Sequence, residues 1–148
     1  MAYVDFRSEV VTRPALMRCL AAGRRFVVPY CQDGRLGLFP IESWSELQPG
    51  AFQILEPAAE LRRLPTKQLT PTELDLIFVP GLCYDLHGAR LGYGLGHYDR
   101  LLAEVRPDCI LVGLCFDDLL VQRLPSEPHD VAMNYIATES KIQPTREP

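Results

Sequence analysis

The sequence predicts an α/β fold, an α/β sandwich around a mostly parallel sheet, and three observations carry that reading. Residues 74–80 and 109–114 are almost wholly apolar, the pattern of strands buried on both faces. Residues 4–29 give strand, helix and strand signals in succession, a βαβ unit. Along the rest of the chain, strand-like and helix-like segments keep alternating.

Residues 4–6 read as the tail of a short first strand. Thr12 is placed to cap a helix that carries Pro14 in its first turn and ends at Gly23. Leu16, Met17, Leu20 and Ala21 recur at helical spacing and predict one buried face. Residues 24–29 follow as a short strand. Gln32-Asp33-Gly34-Arg35 is a turn signal, and residues 36–41 are the other arm of a hairpin. Residues 43–72 are rich in proline and polar side chains and read as irregular connection, with a short helix at 43–47. The central segment is strand 75–80, glycine-rich loop 81–96 and helix 97–106, with Tyr98, Leu101, Leu102 and Val105 on one face and Pro107 as the stop. Strand 109–114, one or two helical turns at 117–123 and a last strand at 134–138 complete the order.

A chain of 148 residues is one domain's worth, and 1–148 is read as a single domain. With 47% hydrophobic and 23% charged residues it has the balance of a globular protein. The net charge of −4 and scattered arginines argue against nucleic-acid or membrane partners. No apolar run is long enough to span a bilayer and no segment has a signal-peptide layout. Cys19, Cys31, Cys83, Cys109 and Cys115 form no CxxC pair, so they read as reduced thiols in a cytoplasmic protein. His87, His97 and His129 have no metal-ligand spacing to one another or to cysteine. His97 alone sits where a histidine could meet a ligand.

Gly88-Ala89-Arg90-Leu91-Gly92-Tyr93-Gly94-Leu95-Gly96-His97-Tyr98-Asp99-Arg100 is the segment richest in chemistry. Alternating glycines let the backbone turn and present several N–H groups to one anion. A helix start behind them favours phosphate, and the loop follows a buried strand, where open α/β sheets hold ligands. Arg90 and Arg100 are candidates to clamp phosphate oxygens. The pattern is neither G-x-G-x-x-G nor a P-loop, and a plain tight turn is the alternative. Asp99 either stabilises the helix start or, beside polyphosphate, holds Mg²⁺. Asp130, before the last strand, reads on its own as a turn or cap residue.

The run from Asp75 through Asp85 and the run from Gly88 through Arg100 together closely resemble the signature of the 5-formyltetrahydrofolate cyclo-ligase (5,10-methenyltetrahydrofolate synthetase) family. The resemblance also takes in 9–12, 23–29, 113–116, 124–130 and 136–139, nearly the whole chain. It implies a three-layer α/β/α sandwich of the NagB/RpiA/CoA-transferase-like kind. It also implies ATP-dependent cyclisation of 5-formyltetrahydrofolate to 5,10-methenyltetrahydrofolate, with ADP and phosphate released and Mg²⁺ required. Carried over by position, Arg90, Leu91, Gly92, Tyr93, Gly94, Leu95, Gly96, His97 and Tyr98 would line the ATP site, with Arg90 and Tyr98 catalytic. Tyr93, Gly94, Leu95, Gly96 and His97 would also face the folate, as would Val4 and Glu9, the latter accepting N–H bonds from the aminopyrimidine edge. Asp99 and Asp130 would hold Mg²⁺. The partners expected are a reduced folate and ATP, with the chain a monomer or weak oligomer.

Two departures qualify the resemblance. Family members begin with helices that bring a lysine and an arginine to the ATP phosphates, whereas Lys67 and Lys141, the two lysines here, lie elsewhere. Without such helices, part of the sheet should expose apolar surface. The loop also has Leu95 where the family prefers Gly or Lys, and His97 where Tyr is usual. The alternative is therefore a non-catalytic folate or nucleotide binder; an unrelated α/β enzyme using the loop for a sugar phosphate is the third reading.

Overall fold

The computed structural model describes residues 1–50, 53–127 and 129–145. Ala51 and Phe52 of the proline-rich connection, Pro128 of the 124–130 motif and residues 146–148 lie outside them.

In chain order the elements are α1 (Arg13–Ala21), β1 (Phe26–Gln32), β2 (Arg35–Ile41), β3 (Leu47–Pro49), β4 (Leu55–Pro57), β5 (Leu76–Val79), β6 (Cys83–Asp85) and β7 (Arg90–Leu91). They continue with α2 (His97–Leu102), β8 (Ile110–Leu114), β9 (Leu120–Val121), β10 (Tyr135–Ala137) and β11 (Ile142–Pro144). The fold is mixed α/β. A four-stranded sheet runs β11-β10-β8-β5, parallel except at β11. Hairpins β1-β2 and β3-β4 are antiparallel, and β6 pairs antiparallel with β7 and parallel with β9.

Residues 1–2 knit the larger pieces together. Met1 O accepts from Phe78 N at 2.9 Å and Ala2 bridges Phe78 in parallel, while Ala2 N donates to Val27 O at 3.1 Å. The four-stranded sheet thereby continues through the first residues into β1 and β2. The strand tail expected at 4–6 is not there. Phe6 N is bound by Glu9 Oε2 at 2.9 Å, and the Asp5 carboxylate accepts from Thr12 N and Arg13 N at 3.0 and 3.2 Å. These side chains hold a turn with Arg7 at φ 54°, not a ladder.

Side-chain alternation along the strands sorts the core into two layers. Val27, Leu38, Ile77, Val79, Leu111 and Ile136 point to one face, where Leu101 and Leu102 of α2 cover them. Ala2, Phe26, Val28, Phe39 and Ile41 point to the other, where Leu16 of α1 packs, with Phe78 half-buried beside them. Helix α1 starts and stops where expected, yet Thr12 does not cap it: its hydroxyl donates to Tyr3 O at 2.8 Å. Met17 and Ala21 are exposed, so the buried stripe narrows to Leu16 with half-buried Cys19 and Leu20. Beside α1, the 3₁₀ turns Trp44–Glu46 and Leu61–Arg63 set Trp44 and Leu61 against the same layer. Ile110, Tyr135 and Ile142 are 41%, 39% and 74% exposed there, the bare apolar surface anticipated from the sequence.

Other elements depart from expectation for local reasons. The turn at 43–47 is a single 3₁₀ turn, Trp44–Glu46, closed by a capping box between Ser43 and Glu46. Buried Lys67 anchors it, 2.6 Å from Glu46 Oε1. The β3-β4 and β6-β7 pairings and β11 interrupt segments read as connections. Helix α2 stops at Leu102 and not at 106, because the chain turns to bring Arg106 Nη2 within 2.7 Å of Asp75 Oδ1. Residues 117–123 form one 3₁₀ turn and then β9.

Tyr84 closes the centre of the sheet. Its fully buried ring lies over Gly113 of β8, where an added Cβ would overlap the ring, and its Oη donates to Val79 O at 2.5 Å. Gly113→Ala should therefore destabilise the protein by about 1–3 kcal/mol through overpacking. Urea denaturation should show a lower midpoint with an unchanged slope.

Candidate active site

The glycine-rich segment is a hairpin and then an open loop. At the hairpin end, fully buried Asp85 accepts from the amides of His87, Ala89 and Leu124 at 2.9, 2.9 and 2.8 Å. Gly88, at φ 88°, lies against the Met133 backbone, and its carbonyl accepts from Met133 N at 2.9 Å. That turn needs glycine because a Cβ would strike Met133 O. Asp85 thus satisfies three backbone donors that the tight turn would otherwise leave buried and unpaired.

From Gly92 to Gly96 the chain faces solvent. Tyr93 and Leu95 are 61% and 66% exposed, and a Cβ at Gly94 would meet nothing within 4 Å. Gly94 and Gly96 sit at φ 79° and 62°, conformations that favour glycine. The space above the loop is therefore open to a ligand.

Arg90 runs beneath it. Its side chain is 8% exposed, with Nη2 2.6 Å from Asp99 Oδ1. The guanidinium stacks over the Tyr98 ring at 5.7 Å and lies where a Cβ on Gly92 would come within 2.8 Å of Nη1. Its Nε is buried without a hydrogen-bond partner among the described residues, a donor left unsatisfied beneath the glycine loop. Arg100, the other candidate clamp, is instead turned toward two backbone carbonyls, Leu95 O at 3.1 Å and Gly34 O at 2.9 Å. His97 Nδ1 lies 3.0 Å from the same Gly34 oxygen.

Glu9, 80–90 residues away in sequence, is near enough in the fold for its charge to act on Tyr98. Burial is the main cause that lifts the Tyr98 phenol far above its ordinary range, and the Glu9 charge adds to it. Tyr3 is raised for the same two reasons and donates to Val10 O at 3.0 Å. Glu9 itself is raised, chiefly by burial, against the opposing bond from Phe6 N. Both phenols consequently stay protonated at neutral pH. Val4 is half-buried against the α1-side core. Tyr3 was missed in the sequence, where nothing sets it apart from a core tyrosine.

The two carboxylates expected to hold metal are placed differently. Asp99 is paired with Arg90 through Oδ1. Asp130 is exposed, with Oδ2 accepting from Glu127 N at 2.7 Å, and it lines a shallow cleft with Asp85, His87 and Arg123. No group of three metal-ligating side chains occurs among the described residues. Mg²⁺ commonly takes only one or two carboxylates with phosphate oxygens, and Asp99, engaged through one oxygen, fits such a donor set. Among the described residues no helix is long and apolar enough to cross a membrane.

Comparison with known proteins agrees with this architecture. A 5-formyltetrahydrofolate cyclo-ligase of Mycolicibacterium smegmatis is 35% identical over 144 residues, covering 95% of this chain and 73% of that protein. The Escherichia coli 5-formyltetrahydrofolate cyclo-ligase is 30% identical over 148 residues, with 95% and 77% covered. Among solved structures, the Aquifex aeolicus 5,10-methenyltetrahydrofolate synthetase superposes with a TM-score of 0.82 at 30% identity, covering 99% of this chain and 71% of that one. A Mycoplasma pneumoniae 5,10-methenyltetrahydrofolate synthetase, 18% identical, shares the fold at a TM-score of 0.67, with 91% and 70% covered. The model of the 5-formyltetrahydrofolate cyclo-ligase family matches residues 1–139, and the chain belongs to that family of ligases.

Proposed function

We propose that this chain cyclises 5-formyltetrahydrofolate to 5,10-methenyltetrahydrofolate, consuming ATP with Mg²⁺ and releasing ADP and phosphate. The observation that carries this is the open glycine loop, underlaid by buried Arg90 with an unpartnered Nε and flanked by Glu9. Membership of the family and the named relatives support the same activity. The formyl oxygen attacks the γ-phosphorus as ADP leaves; N10 then attacks the activated carbon, and phosphate departs as the ring closes. Such a reaction asks for positioning and charge neutralisation more than for a protein nucleophile.

The residues divide the work accordingly. Backbone amides of 92–96 and the Arg90 guanidinium receive the phosphates, while Tyr98, held protonated, donates a hydrogen bond at the transfer site. Residues 93–97 and Val4 border the folate, and Glu9 accepts the N–H groups of its aminopyrimidine edge. Asp99 and Asp130 would hold Mg²⁺, which would screen the phosphate charge. Helix α1 on one sheet face and α2 on the other support a three-layer α/β/α sandwich of the NagB/RpiA/CoA-transferase-like kind, a single domain over 1–148. We extend the reading to a cytoplasmic protein that is a monomer or weak oligomer, consistent with its small-molecule substrates.

Protein mixed with Mg-ATP and 5-formyltetrahydrofolate should produce the absorbance of the methenyl product. Arg90→Ala should slow turnover by roughly 100-fold or more, the usual loss when a transition-state donor is removed. Asp99→Ala and Asp130→Ala should raise the Mg²⁺ concentration needed for ATP binding about tenfold by calorimetry. Folate binding by folded protein without any product would establish the non-catalytic binder instead.

Glu9 gives a test through pH. Because its folded pKa is raised, the folded state holds the proton more tightly than the unfolded chain does. The charge therefore costs stability at neutral pH, and that cost vanishes as pH falls below about 4, the unfolded value. Glu9→Gln should accordingly stabilise the protein at pH 7 and leave its acid stability unchanged in urea titrations. The same variant should bind 5-formyltetrahydrofolate more weakly.

A further inference from the structure

Between Leu91 and α2, the hydrogen bonds made to the glycine loop among the described residues are both donated by Arg100. Its backbone N reaches Gly96 O at 3.2 Å, and its Nη2 reaches Leu95 O at 3.1 Å. The same Nη2 reaches Gly34 O at 2.9 Å, 66 residues away at the tip of the β1-β2 hairpin. That tip is a two-residue turn with Asp33 and Gly34 at φ 50° and 75°, closed by the Gln32–Arg35 pair, so its carbonyl is rigidly presented. Gly96 leaves room for the fork, since a Cβ there would come within 3.1 Å of Arg100 Nη1.

An Nη2 group has two protons, and here it faces three acceptors, the two carbonyls and His97 Nδ1 at 3.0 Å. Donation to both carbonyls is the arrangement that leaves none of them short, because His97 can then donate its own Nδ1 proton to Gly34 O. The guanidinium is in this way already occupied by backbone on two separate segments.

We infer that Arg100 is a positioning residue: it clasps the hairpin tip to the glycine loop and holds the loop in the curvature that receives phosphate. This rests on the phosphate reading of the loop given above. Five residues of open glycine-rich chain lose much conformational freedom when an anion orders them, and a clasp made beforehand reduces that loss. Arg100 thereby acts through Leu95 and Gly34, while Arg90 remains the arginine available to the phosphates.

Three measurements separate this from direct phosphate contact. In ligand-free protein, Arg100→Ala should raise hydrogen exchange at the amides of 93–97 about tenfold, with the melting temperature nearly unchanged. In turnover, the same variant should raise the KM for ATP about tenfold with kcat within about twofold, and Arg100→Lys should recover most of the loss. Inserting one glycine after Asp33 displaces the tip carbonyl, and in that background Arg100→Ala should add less than about twofold, the mark of coupled groups. Unchanged loop exchange, or a full tenfold KM effect persisting in the insertion background, would overturn the clasp. Should the wild-type protein make no methenyl product, the cyclisation reading fails, and the exchange measurement, which needs no substrate, still decides the clasp.

Discussion

The backbone hydrogen bonds of Met1 and Ala2 are the seam on which the site depends. Ala2, wholly buried, bridges β5 on one side and donates to Val27 of β1 on the other. Without that seam the β1-β2 hairpin and the four-stranded sheet would be two small sheets, each too narrow to bury both faces. With it, alternation along the strands creates two core layers, and α1 and α2 have opposite faces to cover. The seam also dictates where the next residues go. Tyr3 and Glu9 are carried out of the sheet into the turn closed by Asp5, where the Glu9 charge acts on Tyr98.

A second constraint anchors the other wall. The Asp85 carboxylate binds three backbone amides from two segments, and an unsatisfied buried amide costs about 1–3 kcal/mol. The turn before the glycine loop is therefore stiff, while the hydrogen bonds made to the loop after Leu91, among the described residues, are those that Arg100 donates to Leu95 O and Gly96 O. A stiff entry and a solvent-facing glycine span suit the phosphate-receiving role proposed for the loop.

Much of this was legible in the sequence, and the reasons for success and failure are physical. The β1, β2, β5 and β8 strands were readable because their apolar runs or the Asp33-Gly34 turn are local signals. The β6-β7 hairpin was not, because Asp85 makes its turn through a side chain whose partners include Leu124, 39 residues away. Helix α2 was read too long because periodicity continues to Val105, and the ion pair of Arg106 with Asp75 that ends it is a tertiary contact. Arg100 was assigned to phosphate from its place beside the glycines, yet its fork is taken by Gly34, whose nearness no sequence pattern reveals. Glu9 entered only through the family resemblance, because the fold alone brings its charge within range of Tyr98.

The pairing of Arg90 with Asp99 remains to be reconciled with the separate roles proposed for them. A guanidinium that is 8% exposed would be costly to keep unpaired. The carboxylate 2.6 Å away neutralises it while no ligand is bound. In the proposed reading Mg-ATP would bring a cation for the carboxylate and an anion for the guanidinium, so each partner would exchange one opposite charge for another. The local charge balance would be kept through the exchange. Removing Asp99 would leave the buried guanidinium without compensation until an anion bound. In that reading the Arg90–Asp99 salt bridge is the ligand-free counterpart of the loaded site, and not an obstacle to it.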